Sequence, residues 1–233
     1  MTRTAAGRAV VFDLDGTLVD SEPNYFEAGR RVLARYGVTG FDWREHTRFI
    51  GVGTRETMET LRREYGIEAP VEELLAAKNR VYLELARTRT EVFPGMRRFV
   101  ELLHAAGVPL AVASGSSRPA IEAVLARTGL SDRFVTLVSA EEVARGKPEP
   151  DVFLEAARRL GVPPVDCAVV EDSAPGVEAA HRAGMRCLAV PYVPVPAGDA
   201  GFATVELLFA GGQREFDAER AYAWAMGGVR QGS

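Results

Sequence analysis

Apolar runs and amphipathic segments alternate along most of this chain. The strand-like apolar runs are Ala9 to Leu14, Val108 to Ser114, Phe134 to Ser139, Cys167 to Asp172 and Arg186 to Pro191. Helical spacing of apolar positions fills most of the intervals between them. Because strands that alternate with helices usually pair in parallel, the pattern predicts an α/β fold with a parallel sheet.

One long segment carries only helical spacing. Its three amphipathic stretches are Tyr25 to Tyr36, Arg55 to Tyr65 and Val71 to Arg87. Glycines and a proline separate them, as expected between helices. We therefore predict an α-helical domain, residues 20–90, inserted into an α/β core that comprises residues 1–19 and 91–233. The two connections between insertion and core are expected to act as a hinge.

Composition narrows the class of protein. The chain has 233 residues, 47% of them hydrophobic, and a formal net charge of -4, which suits one large or two modest globular domains. It has no apolar stretch long enough to span a membrane, and residues 1–8 lack the apolar core of a signal peptide. Cys167 and Cys187 lie in or beside apolar runs, as expected for thiols of a reducing compartment. A cytoplasmic protein that binds neither nucleic acid nor membrane is expected, and no pattern indicates its oligomeric state.

Two carboxylates end the first apolar run. Asp13 and Asp15 are followed by Gly16 and Thr17. Alternate side chains of a strand point the same way, so both carboxylates are expected at the carboxyl end of the sheet, where α/β proteins bind ligands. Gly16 permits a sharp turn, and the Thr17 hydroxyl is a donor for an anion. Taken alone, such a motif is more often an ordinary Asp-Gly turn.

Hydrogen-bond donors follow the next apolar run and precede a later helix. Ser114 and Gly115 stand just before a helix that begins at Arg118, and hydroxyl and backbone donors at a helix start suit a phosphate. A small-residue loop with a serine cap has the same pattern. Lys147 lies between a glycine and Pro148, and this stiff setting fixes the position of its ammonium group.

Adjacent acids end a further apolar run. If Glu171 and Asp172 converge with Asp13 and Asp15, each like-charged pair at close range costs roughly 1–4 kcal/mol, depending on screening. A divalent cation would offset this repulsion. A ligand set made only of oxygen atoms favours Mg²⁺.

Together these segments resemble the haloacid dehalogenase superfamily, in the branch of phosphatases and β-phosphoglucomutases that carry a helical cap inserted after the first motif. The resemblance covers nearly the whole chain. It rests on four motifs in order: Asp13-Leu14-Asp15-Gly16-Thr17, Ser114 after its strand, Lys147 in Gly-Lys-Pro, and Glu171-Asp172. It implies a Rossmann-like parallel sheet core with residues 20–90 as an α-helical cap.

The resemblance also implies a role for each motif residue. Asp13 would be the nucleophile that forms an aspartyl-phosphate, and Asp15 the general acid and base. The implied ligands of the phosphoryl group are Thr17, Ser114, the Gly115 backbone and Lys147. The implied ligands of Mg²⁺ are Asp13, the Asp15 carbonyl and Asp172, with Glu171 in support.

The expected function is a Mg²⁺-dependent phosphatase that acts on a small phosphorylated metabolite of sugar or polyol type. The alternative is a phosphomutase of the β-phosphoglucomutase type. Relatives of that type usually carry a histidine where this chain has Tyr25 and a lysine where it has Ile50, so these departures favour the phosphatase. Dehalogenases of the superfamily lack the acid/base at the position of Asp15, which argues against dehalogenation.

Two arginines are candidate substrate contacts. Arg118 opens the helix after Ser114, and Arg55 lies beside a glycine-rich loop of the cap. Each is equally typical of a solvent-facing helix start. The residues expected to form a partly apolar cap wall are Tyr25, Phe49, Ile50, Arg55 and Met58.

Two further functions are disfavoured by the sequence. A phosphonate hydrolase would require an activated cap lysine, and Lys78 shows no sign of activation in its amphipathic helix. A non-catalytic binding protein is disfavoured because it has no reason to keep costly clustered charges. His46, His104 and His181 share no motif and are interpreted as structural or surface residues.

Overall fold

The computed structural model of this chain describes residues 7–196 and 198–227. Residues 1–6 lie outside these ranges. They make up most of residues 1–8, in which no signal peptide was expected. Among the helices of the two ranges, none is long and apolar enough to cross a membrane.

A parallel sheet forms the centre of the molecule, as the apolar runs predicted. The strands are β1 (Ala9–Phe12), β2 (Val19–Asp20), β3 (Glu91–Val92), β4 (Leu110–Ser114), β5 (Thr136–Ser139), β6 (Cys167–Glu171), β7 (Arg186–Ala189) and β8 (Leu207–Leu208). The sheet order is β5-β4-β1-β6-β7-β8, and all neighbours are parallel. The sheet therefore brings β1, the strand that precedes Asp13, between β4 and β6.

Helices cover the sheet and fill the segment between β2 and β3. They are α1 (Glu22–Ala34), α2 (Trp43–Thr47), α3 (Thr54–Glu64), α4 (Val71–Arg89), α5 (Pro94–Ala105), α6 (Arg118–Thr128), α7 (Asp151–Leu160), α8 (Ala174–Arg182) and α9 (Ala218–Met226). The short α2 was not predicted from the sequence. Helix α1 begins earlier than its apolar spacing predicted, because Pro23 fits the first turn of a helix.

Residues of β1 alternate between two buried layers. Val10 and Phe12 belong to one apolar cluster, and Ala9 and Val11 belong to another on the opposite face of the sheet. The ring of Phe12 meets Phe99 of α5 edge-on, with centroids 5.6 Å apart. Burial on both faces, which is typical of a central parallel strand, fixes the position of the residues that follow β1.

The helical segment is joined to the rest of the chain by a short antiparallel pair. In this pair, β2 and β3 lie side by side with Val19 opposite Val92. The buried Asn24 side chain donates a hydrogen bond to the Thr90 hydroxyl at 2.9 Å. The start of α1 and the end of α4 are therefore tied together beside the connections.

The turn from β6 into α8 leaves no room for a side chain at Gly176. An added Cβ there would lie 1.9 Å from atoms of the Glu171 carboxylate. The Ser173 hydroxyl accepts a hydrogen bond from the Gly176 backbone N–H and caps the helix. The first turn of α8 thus encloses Glu171.

We expect Gly176→Ala to lower the free energy of unfolding by about 1–3 kcal/mol or more, because an overpacked site forces its neighbours to shift. Chemical denaturation measures this change. The matched control is Gly40→Ala, since a Cβ at Gly40 would meet no atom within 4 Å; its effect should stay within about 0.5 kcal/mol. Equal stability of the two variants would contradict the tight contact between α8 and Glu171.

Candidate active site

The carboxyl ends of the central strands open into a cavity of about 660 Å³. Residues that follow β1, β4 and β6 form one side, and residues of α1, α3, α4 and the loop before α3 form the other. The predicted site residues that line it are Asp13, Asp15, Ser114, Gly115, Lys147 and Asp172. Groups from distant parts of the sequence thus meet where the sheet ends.

Lys147 joins two buried acids at the bottom of this cavity. Its ammonium group donates to Oδ1 of Asp13 and to Oε1 of Glu171, each at 2.5 Å. Burial raises the pKa of Asp13 to about 8, and the adjacent Lys147 acts in the opposite direction. Burial opposes the charge of Lys147, yet the two carboxylates raise the pKa of its ammonium group. The lysine charge therefore stays in place at neutral pH.

Glu171 is completely enclosed, and both of its carboxylate oxygens are already engaged. Oε1 accepts from Lys147, and Oε2 accepts from the backbone N–H groups of Asp172 and Ser173 at 3.0 and 3.1 Å. The Ser173 hydroxyl donates to Oε2 as well, at 3.0 Å. Glu171 therefore fixes the position of its neighbours instead of presenting a free oxygen to the cavity.

A group of carboxylates at the cavity suits a metal ion. One oxygen each of Asp13, Glu171 and Asp172 lies within 4.8 Å of the others. The Thr17 hydroxyl donates to Oδ1 of Asp172 at 2.9 Å. Burial, together with the charges of Glu171 and Asp13, raises the pKa of Asp172 well above its ordinary value. This excess of buried negative charge and the oxygen-only donor set fit a hard divalent cation.

Asp15 accepts hydrogen bonds from three hydroxyl groups. Tyr82 of α4 donates to Oδ1 at 2.7 Å, and Ser114 and Ser116 donate to Oδ2 at 3.1 and 2.7 Å. Asp15 therefore has partners of a different kind from those of Asp13. Among these donors, Ser114 was predicted from the sequence, but the contact of Tyr82 with Asp15 was missed because helical spacing carries no sign of it.

Two stacked tyrosines connect the helical segment to the sheet side of the cavity. The rings of Tyr25 and Tyr82 lie 4.3 Å apart with an angle of 22° between their planes. The Tyr25 hydroxyl shares a hydrogen bond of 2.8 Å with the Ser116 hydroxyl. Burial and the charge of Asp15 raise the pKa of both phenols well above the ordinary value. Both phenols therefore remain protonated.

The two candidate arginines do not line the cavity. Arg55 pairs with Glu72 at 3.1 Å on the exposed side of α3. Arg118 pairs with Glu122 at 2.8 Å, one turn along α6, and donates to the Leu137 carbonyl. Both guanidinium groups thus have carboxylate partners outside the cavity, and a contact of either with substrate stays a prediction.

The cap side of the cavity differs from the predicted wall. Tyr25 and Phe49 line it, as expected, whereas Met58 is fully buried in the apolar core and Ile50 is not part of the lining. The lining residues that were not predicted from the sequence include Glu22, His46, Lys78, Asn79 and Tyr82. His46, interpreted as structural or surface, is buried and shares a 2.8 Å hydrogen bond with Glu22.

Comparisons with known proteins agree with this architecture. The family model of the haloacid dehalogenase-like hydrolases matches residues 8–184, more than half of the chain. A phosphorylated carbohydrates phosphatase of Thermotoga maritima is 39% identical over 182 residues, which cover 76% of this chain and 82% of that protein. A bifunctional riboflavin kinase/FMN phosphatase of Arabidopsis thaliana is 37% identical over 186 residues, covering 79% of this chain but 48% of that protein. The chain thus corresponds to about half of the plant protein.

A solved structure shares the fold over most of its length. The crystal structure of CbbY from Rhodobacter sphaeroides in complex with phosphate superposes with a TM-score of 0.76 at 29% identity, covering 90% of this chain and 99% of that one. The expected Rossmann-like core is therefore confirmed. With the family match and the identity to the Thermotoga maritima phosphatase, the chain belongs to the family of haloacid dehalogenase-like hydrolases.

Proposed function

We propose that this chain is a phosphatase that hydrolyses monoesters of small phosphorylated metabolites, of sugar or polyol type, through an aspartyl-phosphate on Asp13. The observation that carries the proposal is a pair of carboxylates with different partners in one cavity. Asp13 is bound by Lys147, whereas Asp15 accepts from three hydroxyl groups. Two acids in unlike surroundings suit the separate roles of nucleophile and acid/base.

The first chemical step is an attack by Oδ2 of Asp13 on phosphorus. In the described ranges no hydrogen bond engages this oxygen, while Oδ1 is held by Lys147. The bond from phosphorus to the leaving oxygen breaks, and Asp15, which enters this step as the carboxylic acid, gives its proton to this oxygen. In the second step Asp15 removes a proton from water. The water oxygen attacks phosphorus, and inorganic phosphate and free Asp13 are released.

Donors beside Asp13 would hold the phosphoryl oxygens during both steps. Lys147 carries the positive charge, and the Ser114 hydroxyl and the Gly115 backbone stand just before α6. The N-terminal end of a helix adds further attraction for an anion. Thr17, the fourth predicted contact, donates to Asp172, and the Ser114 hydroxyl donates to Asp15. Both hydroxyls would turn to the phosphoryl oxygens when substrate binds. Charge stabilisation of this kind dominates phosphoryl transfer.

Mg²⁺ fits the carboxylates of this site. Asp13 and Asp172 would hold it together with the backbone carbonyl of Asp15, and Glu171 would support them through Lys147 and the turn after β6. When bound, the ion supplies positive charge to the carboxylates and to the phosphoryl oxygens.

Hydrolysis is favoured over phosphoryl transfer to a second substrate by the cap residues. Tyr25 stands where mutases of the family have a histidine, and its hydroxyl is engaged with Ser116. Ile50 stands where they have a lysine and does not line the cavity. The cap therefore lacks two groups that would hand an aspartyl-phosphate to a sugar instead of water.

We expect Asp13→Asn to reduce phosphate release from sugar and polyol phosphates by a factor of at least about 10³, because the nucleophile is lost. Removal of Mg²⁺ by a chelator should have a comparable effect that added Mg²⁺ reverses. Phosphate release is measured for a panel that includes β-glucose 1-phosphate. Asp132→Asn is the matched control, since the Asp132 side chain is exposed and its ion-pair partner in the described part of the chain is the adjacent Arg133.

Three results would contradict this proposal. Full activity of Asp13→Asn would exclude the aspartyl-phosphate, and full activity in chelator would exclude the metal. Conversion of β-glucose 1-phosphate into the 6-phosphate without release of phosphate would establish the phosphomutase alternative.

Tyr82→Phe should lower kcat by about tenfold or more, because the Asp15 carboxylate loses the hydrogen bond that the Tyr82 hydroxyl donates to it. KM should change little, since the hydroxyl contacts Asp15 and not the substrate. Steady-state kinetics with a sugar phosphate provide both constants. Tyr222→Phe, a change of the same kind in α9, should leave them unaltered. An unchanged kcat for Tyr82→Phe would show that Asp15 does not depend on this contact.

We further propose that residues 20–90 act as a cap that opens and closes about β2 and β3. The contacts of Tyr25 with Ser116 and of Tyr82 with Asp15 support a closed arrangement. Opening would break these contacts and admit substrate, whereas closure excludes water.

Binding of a phosphate mimic should therefore favour the closed arrangement. Small-angle X-ray scattering is expected to give a smaller radius of gyration with Mg²⁺ and fluoroaluminate than with Mg²⁺ alone. Identical scattering curves in the two conditions would contradict cap closure on binding.

A further inference from the structure

The turn that leads from β1 into β2, residues 16–20, carries groups that the proposed reaction uses. The Asp15 carbonyl stands at its start, and the Thr17 hydroxyl belongs to it. One backbone hydrogen bond closes the turn from within, since the N–H of Gly16 donates to the Val19 carbonyl at 3.0 Å. A loop with functional groups keeps one position only when the surrounding structure holds it.

Tyr192, which follows β7, holds both ends of this turn. Its hydroxyl donates to Oδ1 of Asp20 at 2.9 Å. At the other end, Gly16 has a φ of +78°, and a Cβ added there would lie 3.6 Å from a ring carbon of Tyr192. The same Cβ would lie 2.6 Å from Oδ2 of Asp172. The backbone of Gly16 is therefore enclosed between the tyrosine ring and a proposed metal ligand.

Gln213 holds the middle of the turn. Its side-chain Nε2 donates to the Thr17 carbonyl at 3.0 Å. The hydroxyl of the same threonine donates to Oδ1 of Asp172 at 2.9 Å. A shift of the Thr17 backbone would move this hydroxyl away from the carboxylate. Gln213 thus reaches the site through a single intervening residue.

A close backbone contact sets the position of Gln213. The residue lies in a single 3₁₀ turn, Gly212–Arg214, that follows β8. Gly212 has a φ of +70°, and a Cβ added to it would lie 2.6 Å from the carbonyl oxygen of Pro191. Because only glycine fits this conformation and this space, the 3₁₀ turn lies directly against the residue that precedes Tyr192. Tyr192 and Gln213 are therefore fixed relative to each other.

These two residues act on the site from outside the cavity. Within the part of the chain that the structure describes, the cavity lining includes neither Tyr192 nor Gln213. Both side chains are half-buried, and each directs its polar group at an atom of the turn. A role in packing alone would need no such pair of directed hydrogen bonds.

We propose that Tyr192 and Gln213 are positioning residues that hold residues 16–20, and with them the Asp15 carbonyl and the Thr17 hydroxyl, in place for phosphoryl transfer. This inference rests on the proposed phosphatase function. It extends the machinery of the reaction to a segment that follows the last of the four sequence motifs. Groups that are already in place when the substrate binds need no rearrangement during the reaction.

The first test removes the donor that holds the Thr17 carbonyl. Gln213→Met should lower kcat for a sugar phosphate by about tenfold or more, because small displacements of reacting groups are costly. KM should stay within about twofold, since the side chain does not line the cavity. Gln213→Glu keeps the length but replaces the donor by a carboxylate, so its kcat should fall at least as far. Arg214→Met, an exposed change in the same turn, is the matched control and should alter neither constant.

The second test removes one hydroxyl group. Tyr192→Phe should lower kcat by about threefold or more with KM unchanged, because Asp20 loses its hydrogen bond while the ring stays against Gly16. Tyr36→Phe is the matched control. It removes a hydrogen bond of the same kind, from the Tyr36 hydroxyl to Glu73 at 2.8 Å in the helical segment, and should leave both constants unaltered.

Two further measurements separate positioning from a purely structural role. The inhibition constant of orthovanadate, a mimic of the phosphoryl group in the transition state, should rise in Gln213→Met by the factor by which kcat falls. Backbone amides of residues 14–20 should exchange faster with solvent deuterium in this variant. A lower melting temperature with kcat and vanadate inhibition unchanged would overturn the proposal and leave Gln213 a role in stability alone.

The remaining outcomes distinguish the positioning from the activity. If the unsubstituted protein releases phosphate and Gln213→Met and Gln213→Glu keep its kcat, the positioning is wrong and the phosphatase stands. A higher KM with kcat unchanged would also contradict the proposal, because it would mean that Gln213 acts on substrate binding. If the unsubstituted protein releases no phosphate from any compound with Mg²⁺, the phosphatase and the positioning fail together.

Discussion

The contact of Lys147 with Asp13 and Glu171 is the interaction on which the geometry of the site depends. Asp13 follows β1, Glu171 is the last residue of the neighbouring strand β6, and both are buried. Without a cation between them, these two buried carboxylates would repel each other, and this repulsion would favour their protonated forms. Lys147 offsets that repulsion for one oxygen of each acid, and within the described residues the second oxygen of Asp13 has no hydrogen bond. Among the residues that the structure describes, no cation forms an ion pair with Asp172, and the site as a whole is therefore suited to a divalent ion.

Asp13 and Asp15 lie two residues apart after β1, yet their hydrogen-bond partners differ. Asp13 is buried against an ammonium group, and Asp15 is surrounded by hydroxyls from both sides of the cavity. One set of partners comes entirely from the α/β core. The other includes Tyr82 from the helical segment, so the surroundings of Asp15 depend on where that segment lies. If residues 20–90 act as the proposed cap, their contact with Asp15, the proposed acid/base, would couple the arrival of substrate to the readiness of that group.

Local patterns in the sequence were sufficient to predict five of the six strands described in the central sheet and the polar residues at the ends of β1, β4 and β6. Apolar runs that end in Asp13, Ser114 and Glu171 identify where a parallel sheet gathers polar groups. Helical spacing, in contrast, shows only which face of a helix is buried. It therefore did not distinguish Lys78, which faces the cavity, from a lysine in an ordinary helix, and it could not show that Arg55 and Arg118 find carboxylates one turn away on their own helices. The strands β2, β3 and β8 each contain two residues, too few for any periodicity to appear.

The order of the strands has a consequence for how the chain folds as it is synthesised. β1 is made first, yet Val10 pairs with Leu110 on one side and with Ala168 on the other. Contacts so distant in sequence require large loops to close, which makes them late and slow compared with the local contacts of α1–α4. The nascent helical segment can therefore become ordered while the strand beside the proposed nucleophile is still without partners. Only after β6 has left the ribosome can Asp13, Lys147 and Glu171 meet, so the chemistry of this protein is absent from every shorter nascent chain.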